Sequence, residues 1–347
     1  MSLNTAPEEI SETVEIGDDP VDEPVVDSEP DPTELNAFQR FIDQKKPTKD
    51  TPRNILVAVR NLFLAALPAI GGILCFLGLW RLLAPLVETS LGSLPGPGEV
   101  FSAGRGLWDE YRAAAAAEAA FYETAPPGAI YTSTPTFLDQ IWTSLRTVAL
   151  GFVIGTAVAV PLGLLSGLSE KFRAAINPLV QIFKPVSPLA WLPIVTMVVA
   201  ATVSDDPILP KAFITSAVVV ALNSLWLTLI NTSIGAQSVD QDLLNVAEVL
   251  RLSPMQKLRK LILPATLPYI FTGMRLSLGV GWMVLIAAEM LAQNPGLGKF
   301  VWDEFQNGST ESLSRIMFTV IVIGIIGFIL DRLMSSAETF VRRTQGV

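Results

Sequence analysis

Three ionisable side chains lie within long apolar runs of the sequence, at Lys184, Arg275 and Glu289. Burying a charge in the hydrocarbon of a bilayer is costly, so charged residues inside membrane spans commonly mark transport pathways or helix contacts. Charged side chains at that depth line the pathways of permeating ions of opposite charge. We therefore take these three residues as candidates for a translocation pathway.

Each candidate also has a purely structural interpretation. Lys184 stands beside Pro185 and Pro188, where freed backbone groups can line a cavity, but its side chain can equally extend to the lipid headgroups. Arg275 and Glu289 are 14 residues apart, which on one helix places them within about 40° of the same face but about 21 Å apart. They are therefore not expected to pair. Near the middle of its span, Arg275 either lines the pathway or binds a carbonyl or acid on a neighbouring helix; Glu289 is either a gate or interface residue or a structural hydrogen-bond acceptor.

The sequence lacks the usual residues of enzyme chemistry. It contains no histidine and a single cysteine, Cys75, so the commonest general base and metal ligand is absent. The Walker A pattern G-x-x-x-x-G-K-[ST] is also absent, since its nearest match, Gly296–Phe300, lacks the first glycine and the hydroxyl residue. We predict that the chain is not an enzyme, holds no metal or cofactor and hydrolyses no nucleotide.

Hydropathy predicts an all-α polytopic membrane protein. Half of the residues are apolar and 16% are charged, and several charge-free runs reach the roughly 18 residues needed to cross a bilayer. Six spans are predicted, at about 62–84, 143–168, 177–201, 208–231, 264–291 and 313–334. Gly273, Gly279 and Gly281 in the fifth span are expected to permit close helix packing.

Charge distribution predicts the orientation of the spans. Fifteen Lys and Arg residues lie in the segments on the side of the N-terminus and seven in those on the other side, so both termini are expected in the cytoplasm. The net charge of −9 comes from residues 1–34, which carry twelve acidic and no basic residues. We predict that residues 1–50 form a largely disordered acidic tail, either a spacer or a docking segment, and that 51–347 form the transmembrane domain.

Two segments are predicted to face the outside. Residues 88–138 are expected to contain a helix through Arg112–Glu118, within a run of alanines. Residues 294–312 contain Phe300, Trp302 and Phe305, which favours either an interfacial aromatic belt or a docking site for an external partner.

The predicted cytoplasmic loop, residues 233–262, contains two amphipathic stretches. Asp240–Leu250 has apolar residues at helical spacing. Ser253–Pro264 begins with a helix N-cap at Ser253, a proline at the first helical position and Gln256 placed to complete a capping box. We expect two short helices here, which either lie on the inner membrane surface or fill a groove on another protein.

This loop resembles the EAA loop of importer-type ABC transporter permeases, with the pattern E-A-A-x-x-x-G, nine residues, I-x-L-P. Asn245 and Ala247 stand at the Glu and second Ala positions, Arg251 at the Gly position, and Leu263–Pro264 close the pattern. The segments Thr143–Arg146, Pro188–Pro193, Asn231–Thr232 and Leu263–Pro268 resemble the subfamily that imports nitrate, sulfonates and related anions. Phe271–Leu276, Gly281–Met290 and Asn294–Gly298 are most similar to nitrate permeases.

The resemblance implies a type I ABC importer permease in the bacterial inner (plasma) membrane. It implies two ATP-binding subunits that hold ATP and Mg, a second permease copy or a homologue, an external substrate-binding protein and surrounding lipid, with no nucleic acid partner. It also implies that the loop couples to the ATP-binding subunits. The residues expected to do so are Asn245, Ala247, Glu248, Arg251, Ser253, Pro254, Lys257, Leu258, Leu263 and Pro264.

The resemblance further implies transport of nitrate, with nitrite as a related substrate, by alternating access. Taurine or another alkanesulfonate, bicarbonate and cyanate stay open as alternatives, because nearly the same scaffold would carry them. A stand-alone anion channel or carrier is the alternative of a different class, and it would need no docking loop.

Overall fold

The computed structural model of the chain describes residues 52–89, 92–126, 128–204, 206 and 209–344. The chain divides into two units, Met1–Gly72 and Ile73–Val347. Of the first unit, the structure describes residues 52–72, which are helical. The predicted acidic tail, residues 1–50, lies outside the described residues, so its disorder stays a prediction.

The described residues form an almost wholly helical chain. The helices are α1 (Pro52–Leu83), α2 (Pro97–Thr124), α3 (Phe137–Leu168), α4 (Glu170–Phe183), α5 (Pro188–Thr202), α6 (Lys211–Gln237), α7 (Gln241–Val249), α8 (Pro254–Lys257), α9 (Leu263–Ala292), α10 (Leu297–Asn307) and α11 (Thr310–Thr344). A 3-10 turn covers Ala84–Leu86, and a π-helical turn, Leu258–Ile262, joins α8 to α9. Strands β1 (Glu88–Thr89) and β2 (Gly92–Ser93) form a short antiparallel pair.

Among the described residues, five helical stretches are long and apolar enough to cross a membrane. The predicted third span, 177–201, is wrong as a single helix. It consists of α4 and α5, which meet at an angle of 102°. Pro185 and Pro188 explain the break, because proline lacks the amide hydrogen that continues a helix and restricts the residue before it. If α4 and α5 count as one broken span, the total is six, as predicted.

The predicted fifth span also differs from the structure. The sequence predicts two short helices before a span at 264–291, whereas α8, the π turn and α9 form one continuous helical stretch, Pro254–Ala292. A π turn loosens the regular hydrogen-bond ladder, and here it directly precedes Pro264 and Pro268, which cannot donate to that ladder. The capped basic stretch is therefore the first part of a long helix.

Helices α3 and α6 run parallel and approach closely along a stripe of small residues. Gly151, Gly155, Ala159, Gly163 and Gly167 recur every four residues on α3. A Cβ atom at Gly151 would lie 2.5 Å from the carbonyl oxygen of Ala217, and one at Gly163 would lie 2.7 Å from that of Leu229. Only glycine permits this approach, as is typical of helix contacts in membranes.

Helix α9 packs antiparallel against α6. A Cβ atom at Gly273 would lie 2.8 Å from Asn231, and one at Gly281 would lie 2.7 Å from the Ser224 hydroxyl, which confirms the packing role predicted for both glycines. Gly279 makes no close contact within the described part of the chain, since an added Cβ there would meet no atom within 4 Å. Buried hydroxyls tie the two helices together: the Ser277 and Thr228 hydroxyl oxygens are 2.7 Å apart.

These packings define two ends of the bundle. At the α7 end, α3 and α6 finish and α9 begins, as the contacts of Gly167 with Ala236 and of Gly235 with Tyr269 show. At the α10 end, α3 begins and α9 finishes.

The helix predicted through Arg112–Glu118 is confirmed as part of α2. Phe300, predicted as a belt or docking residue, is instead buried against Phe137, with ring centroids 5.2 Å apart, whereas Phe305 is exposed.

Candidate functional site

Helix α7 follows α6 after a three-residue turn and carries the first coupling candidates. The Asp240 side chain caps it by accepting from the Asp242 amide at 2.9 Å, and Ala247 is its buried contact. Asn245 is exposed, with its amide oxygen 3.4 Å from the Gln241 side-chain nitrogen. Short helices in loops need such caps, because few of their backbone groups have partners within the helix.

Helix α7 ends at a residue that adopts an unusual backbone conformation. Arg251 has a φ of +48°, in the left-handed region that favours glycine. The amide of Arg251 donates to the Glu248 carbonyl and that of Leu252 to the Ala247 carbonyl, at 2.9 and 3.0 Å. This pair of bonds is the Schellman motif, whose C′ position is usually glycine. The family pattern has glycine at this position, so the structure explains that preference physically, and Arg251 adopts the same conformation.

The chain then enters α8 through the predicted capping box, which is confirmed. The Ser253 amide donates to Gln256 Oε1 at 2.9 Å, and the Gln256 amide donates to Ser253 Oγ at 3.3 Å. Across the turn, Lys257 Nζ is 3.2 Å from Glu248 Oε1. The capping box, Pro254 and the ion pair between Lys257 and Glu248 together fix the angle between α7 and the long helix that contains α9. Leu258 lies in the π turn, and Leu263 and Pro264 are half-buried at the start of α9.

Apolar side chains on this segment point away from the bundle. Leu243, Val246, Val249, Leu250 and Met255 are all exposed, Val249 by 83%. We call these five residues the α7 surface. Several exposed apolar side chains on one short segment usually mark a protein or membrane contact.

Arg275 binds an acid on a neighbouring helix, one of the two alternatives stated above. Its Nε and Nη2 atoms donate to the two carboxylate oxygens of Asp331 at 2.7 and 3.0 Å. Glu338, further along α11, lies 3.9 Å from Arg275 Nη1 and accepts from Thr272 and Arg342. Asp331 ends the apolar run 316–330 of α11, so the pair lies where α11 turns polar rather than midway along an apolar segment.

Glu289 is fully buried at the α10 end. The Ser144 hydroxyl on α3 lies 2.9 and 2.8 Å from its two carboxylate oxygens, and the Gly298 amide donates to it at 3.0 Å. The Leu297 amide in turn donates to Ser144 Oγ at 2.9 Å. A buried carboxylate needs several donors of this kind, and here they come from α3 and from the start of α10.

Lys184 lies at the junction of α4 and α5 and is exposed. Beside it, the ring of Phe183 stacks on Trp226 of α6 at an interplanar angle of 12° and contacts Trp191 of α5. Trp226 is 11 residues from the end of α6 at Gln237, or about 16 Å along the helix. The break therefore lies well inside the bundle from the α7 end.

Sequence reasoning missed three contributors to these networks: Ser144, Gly298 and Asp331. The Ser144 hydroxyl and the Glu289 carboxylate are 145 residues apart in sequence, and nothing in one sequence identifies such a partner. One local signal was available in the sequence, because two closely spaced glycines, Gly296 and Gly298, follow soon after Glu289. The structure shows the reason for them: an added Cβ would lie 2.2 Å from Glu289 at Gly296 and 2.8 Å from it at Gly298. Among the described residues, no group of three or more acidic or cysteine side chains forms a metal site.

Comparison with known proteins gives a consistent family. A family model described as the binding-protein-dependent transport system inner membrane component matches residues 159–343. The chain is 38% identical over 202 residues to the nitrate import permease protein NrtB of Synechocystis sp., covering 58% of this chain and 69% of that protein. It is 34% identical over 275 residues to the bicarbonate transport system permease protein CmpB of Synechococcus elongatus, covering 79% and 88%.

Among solved structures, a chain of the inward-facing MetNI methionine ABC transporter matches with a TM-score of 0.50 at 16% identity. The match covers 59% of this chain and 95% of that chain. At this identity the likeness concerns the fold alone.

Proposed function

Because the chain belongs to the family of binding-protein-dependent transport system inner membrane components, we propose that it is the subunit that carries nitrate across the inner membrane. Membership makes it a multi-pass inner membrane permease of an ABC importer of the nitrate and bicarbonate type, and not an enzyme. Members of this family work with ATP-binding subunits and a substrate-binding protein. The choice of nitrate rests on the 38% identity to a nitrate import permease.

Bicarbonate is the second candidate substrate. The bicarbonate permease CmpB aligns over 88% of its length at 34% identity, a longer alignment than that of the nitrate permease. Nitrate and bicarbonate are both small, planar, singly charged oxyanions, so one pathway chemistry would serve either. Sulfonates and cyanate have no such relative among the matches described above.

The α7 surface is proposed to dock onto an ATP-binding subunit. Two such subunits would serve two permease chains. The second permease chain would be either another copy of this one or a homologue. ATP and Mg would be bound in those partners. Both termini and the α7 end would then face the cytoplasm, and the α10 end would receive the external binding protein. The observation that carries the coupling role is the unbroken helical stretch Pro254–Ala292, because a displacement at α8 is passed directly to a helix that crosses the membrane.

The residues in and beside the turn between α7 and α8, which we call the α7 turn, would act in two ways. Ser253, Pro254, Glu248 and Lys257 hold the angle between α7 and α8. Asn245, Arg251 and the α7 surface are exposed and would meet the partner, as apolar helix faces do in grooves.

Of the three pathway candidates, Lys184 is proposed to face the permeating anion. Arg275 is bound to Asp331, and Glu289 to Ser144 and Gly298, so both already have structural partners. Lys184 is exposed at a helix break, which is where irregular backbone lines a cavity in membrane proteins.

The experiment that tests the substrate is uptake of labelled nitrate, labelled bicarbonate and labelled taurine by cells lacking this chain and by the same cells complemented with it. Restored nitrate uptake, suppressed by unlabelled nitrate and not by bicarbonate or taurine, supports the proposal. Restored uptake of bicarbonate alone would replace nitrate with bicarbonate, and restored uptake of a sulfonate alone would overturn both.

A second experiment tests the coupling segment. Val249→Asp places a charge in the exposed α7 surface and should abolish co-purification with the ATP-binding subunits while leaving membrane insertion intact. Phe305→Asp, also at an exposed apolar residue but at the α10 end, is the matched control and should retain the subunits. Retention by Val249→Asp would contradict the docking proposal.

A further inference from the structure

A polar cavity of about 180 Å³ lies at the α7 end, between α3, α4 and α6. Its polar lining consists of Ser166, Arg173, Asn177, Ser233 and Gln237. A water molecule takes up about 30 Å³ of liquid, so the cavity has room for a small oxyanion together with water. None of the described residues that line it is acidic.

The cation of this cavity has little else to bind. Among the described residues, Arg173 has one ion-pair partner, the exposed Glu170, at 3.7 Å. A guanidinium carries five N–H donors in a planar fork that matches the oxygens of a planar oxyanion. Arg173 also lies in the first turn of α4, after the Ser169 N-cap, at the positive end of that helix dipole. Because α3 and α6 end beside the cavity with their negative ends, the attraction for an anion comes from the Arg173 charge.

The hydrogen bonds around the cavity leave the Ser166 hydroxyl free to donate. The Ser233 hydroxyl donates to Ser166 Oγ at 3.3 Å, which leaves the Ser166 hydrogen available for another acceptor. Gln237 Nε2 donates to the carbonyl and the hydroxyl of Ser233, at 3.0 and 3.1 Å, so Gln237 is held within its own helix and is not a donor for a bound anion. Ser166 and Ser233 are both buried, whereas Asn177 is exposed, so the cavity is reached from the Asn177 side.

The same face of α4 continues towards the helix break. Arg173 and Lys184 are 11 residues apart, which places them within about 20° of one face and about 16 Å apart along it. Asn177 lies between them, about 40° from Arg173 on the same face. One face of α4 therefore carries a cation near each end, with a polar amide between.

We infer that this cavity is a binding site for a small planar oxyanion, with Arg173 as its principal ligand and Ser166 and Asn177 as further donors. The inference rests on the proposed function, since it assigns the transported anion a station at the α7 end, after Lys184. The last turn of α6 ends at Gln237, and three residues join it to α7. A bound anion would therefore lie against the last turn of α6, the part of that helix nearest to α7.

The inference is tested with the complex of this chain and its ATP-binding subunits, purified in detergent. Thermal unfolding is measured in sodium nitrate or sodium bicarbonate against sodium chloride at equal ionic strength, since a ligand that binds the folded state raises its unfolding temperature. The unfolding temperature should rise with nitrate or bicarbonate in the wild type. Arg173→Gln should need about tenfold more anion for the same rise, as expected for loss of a charge-assisted hydrogen bond, and Arg173→Lys should fall between them.

Arg112→Gln is the matched control, because it removes an exposed arginine on α2 and should respond like the wild type. If Arg173→Gln does not assemble, Ser166→Ala and Asn177→Ala carry the same comparison. An equal anion response in the Arg173 variants and the wild type, or no response in any of them, would overturn the inference.

Two additional measurements distinguish a lipid ligand from a free anion, and the cavity from the transport activity. Nanodiscs of phosphatidylglycerol and of phosphatidylcholine test whether a lipid phosphate occupies the cavity; an Arg173-dependent stabilisation by phosphatidylglycerol without one by free anions would overturn the assignment. Uptake into proteoliposomes is measured separately. If the wild type carries neither nitrate nor bicarbonate, the proposed function fails. Thermal unfolding in nitrate, bicarbonate and nitrite, which are all planar, still decides whether the cavity binds a small planar oxyanion.

Discussion

The hydroxyl of Ser144 on α3 lies 2.8 Å from one carboxylate oxygen of Glu289 on α9, and the amide of Leu297 at the start of α10 donates to the same hydroxyl at 2.9 Å. One buried carboxylate thus joins three helices at the α10 end. Removing a donor or acceptor from such a network leaves a buried group without its partner, which costs about 1–3 kcal/mol.

Glu289→Gln should therefore lower the unfolding temperature of the detergent-purified chain and its yield in the membrane, because the new amide nitrogen faces groups that donate. Glu118→Gln, at an exposed acid on α2, is the control and should be neutral. Normal stability of Glu289→Gln combined with lost uptake would contradict the structural role and return Glu289 to the pathway.

The ion pair of Arg275 with Asp331 predicts coupling between two positions 56 residues apart. Arg275→Met and Asp331→Leu should each lower the unfolding temperature, and the double variant should lose less than the sum of the two. A double-mutant cycle measures that coupling. The pair Lys299–Asp303 on α10 is about as exposed as Arg275–Asp331, and it serves for comparison. It should couple more weakly, because an ammonium four residues away on the same helix lacks the two parallel hydrogen bonds that a guanidinium makes with a carboxylate. Strict additivity at Arg275 and Asp331 would show that the pair does not form.

Local sequence signals predicted much of this fold. The capping box at Ser253 is a short-range pattern of Ser, Pro and Gln, and it is present as predicted. The apolar runs predicted the membrane helices because hydrophobic length alone decides whether a helix can span. The break at 184–187 was signalled by two prolines, but the size of the bend depends on contacts of α5 with α6 and α9, which one sequence does not display.

Contacts between distant segments were beyond prediction for a physical reason. The sequence shows that Glu289 is a costly residue to bury, but its donors come from Ser144 and Gly298, on two other elements. Likewise the four-residue spacing of small residues from Gly151 to Gly167, four glycines and Ala159, is visible in the sequence. The identity of α6 as the helix that they contact requires the structure.

The glycine stripe predicts a strong contrast between two apparently similar substitutions. Gly151→Ala should destabilise the chain, because its Cβ would lie 2.5 Å from the Ala217 carbonyl oxygen and 2.8 Å from Val220. Gly279→Ala has open space around it and should be neutral or stabilising, since alanine favours helix more than glycine does by about 1 kcal/mol. Thermal unfolding in detergent measures both; equal effects would show that α3 and α6 are not in close contact.

Arg251 allows the backbone role of the α7 turn to be separated from a contact role. Arg251→Gly should raise or preserve stability, since glycine adopts the positive φ of +48° without strain. Arg251→Val should lower it, because β-branched residues rarely adopt that conformation. If co-purification of the ATP-binding subunits is lost in Arg251→Gly while stability is kept, the arginine side chain contacts the partner. Equal stability of the Gly and Val variants would contradict the turn geometry.

Lys184 provides the test of the pathway itself. Lys184→Gln should reduce anion uptake, and Lys184→Glu should reduce it further, because a negative charge at the break repels an incoming anion whereas an amide only removes the attraction. Assembly with the ATP-binding subunits should be unchanged in both, since Lys184 lies away from the α7 surface. Uptake by proteoliposomes measures the effect, and Arg112→Glu, at an exposed arginine on α2, is the matched control. Uptake that is normal in Lys184→Glu would show that the side chain reaches the lipid headgroups and takes no part in transport.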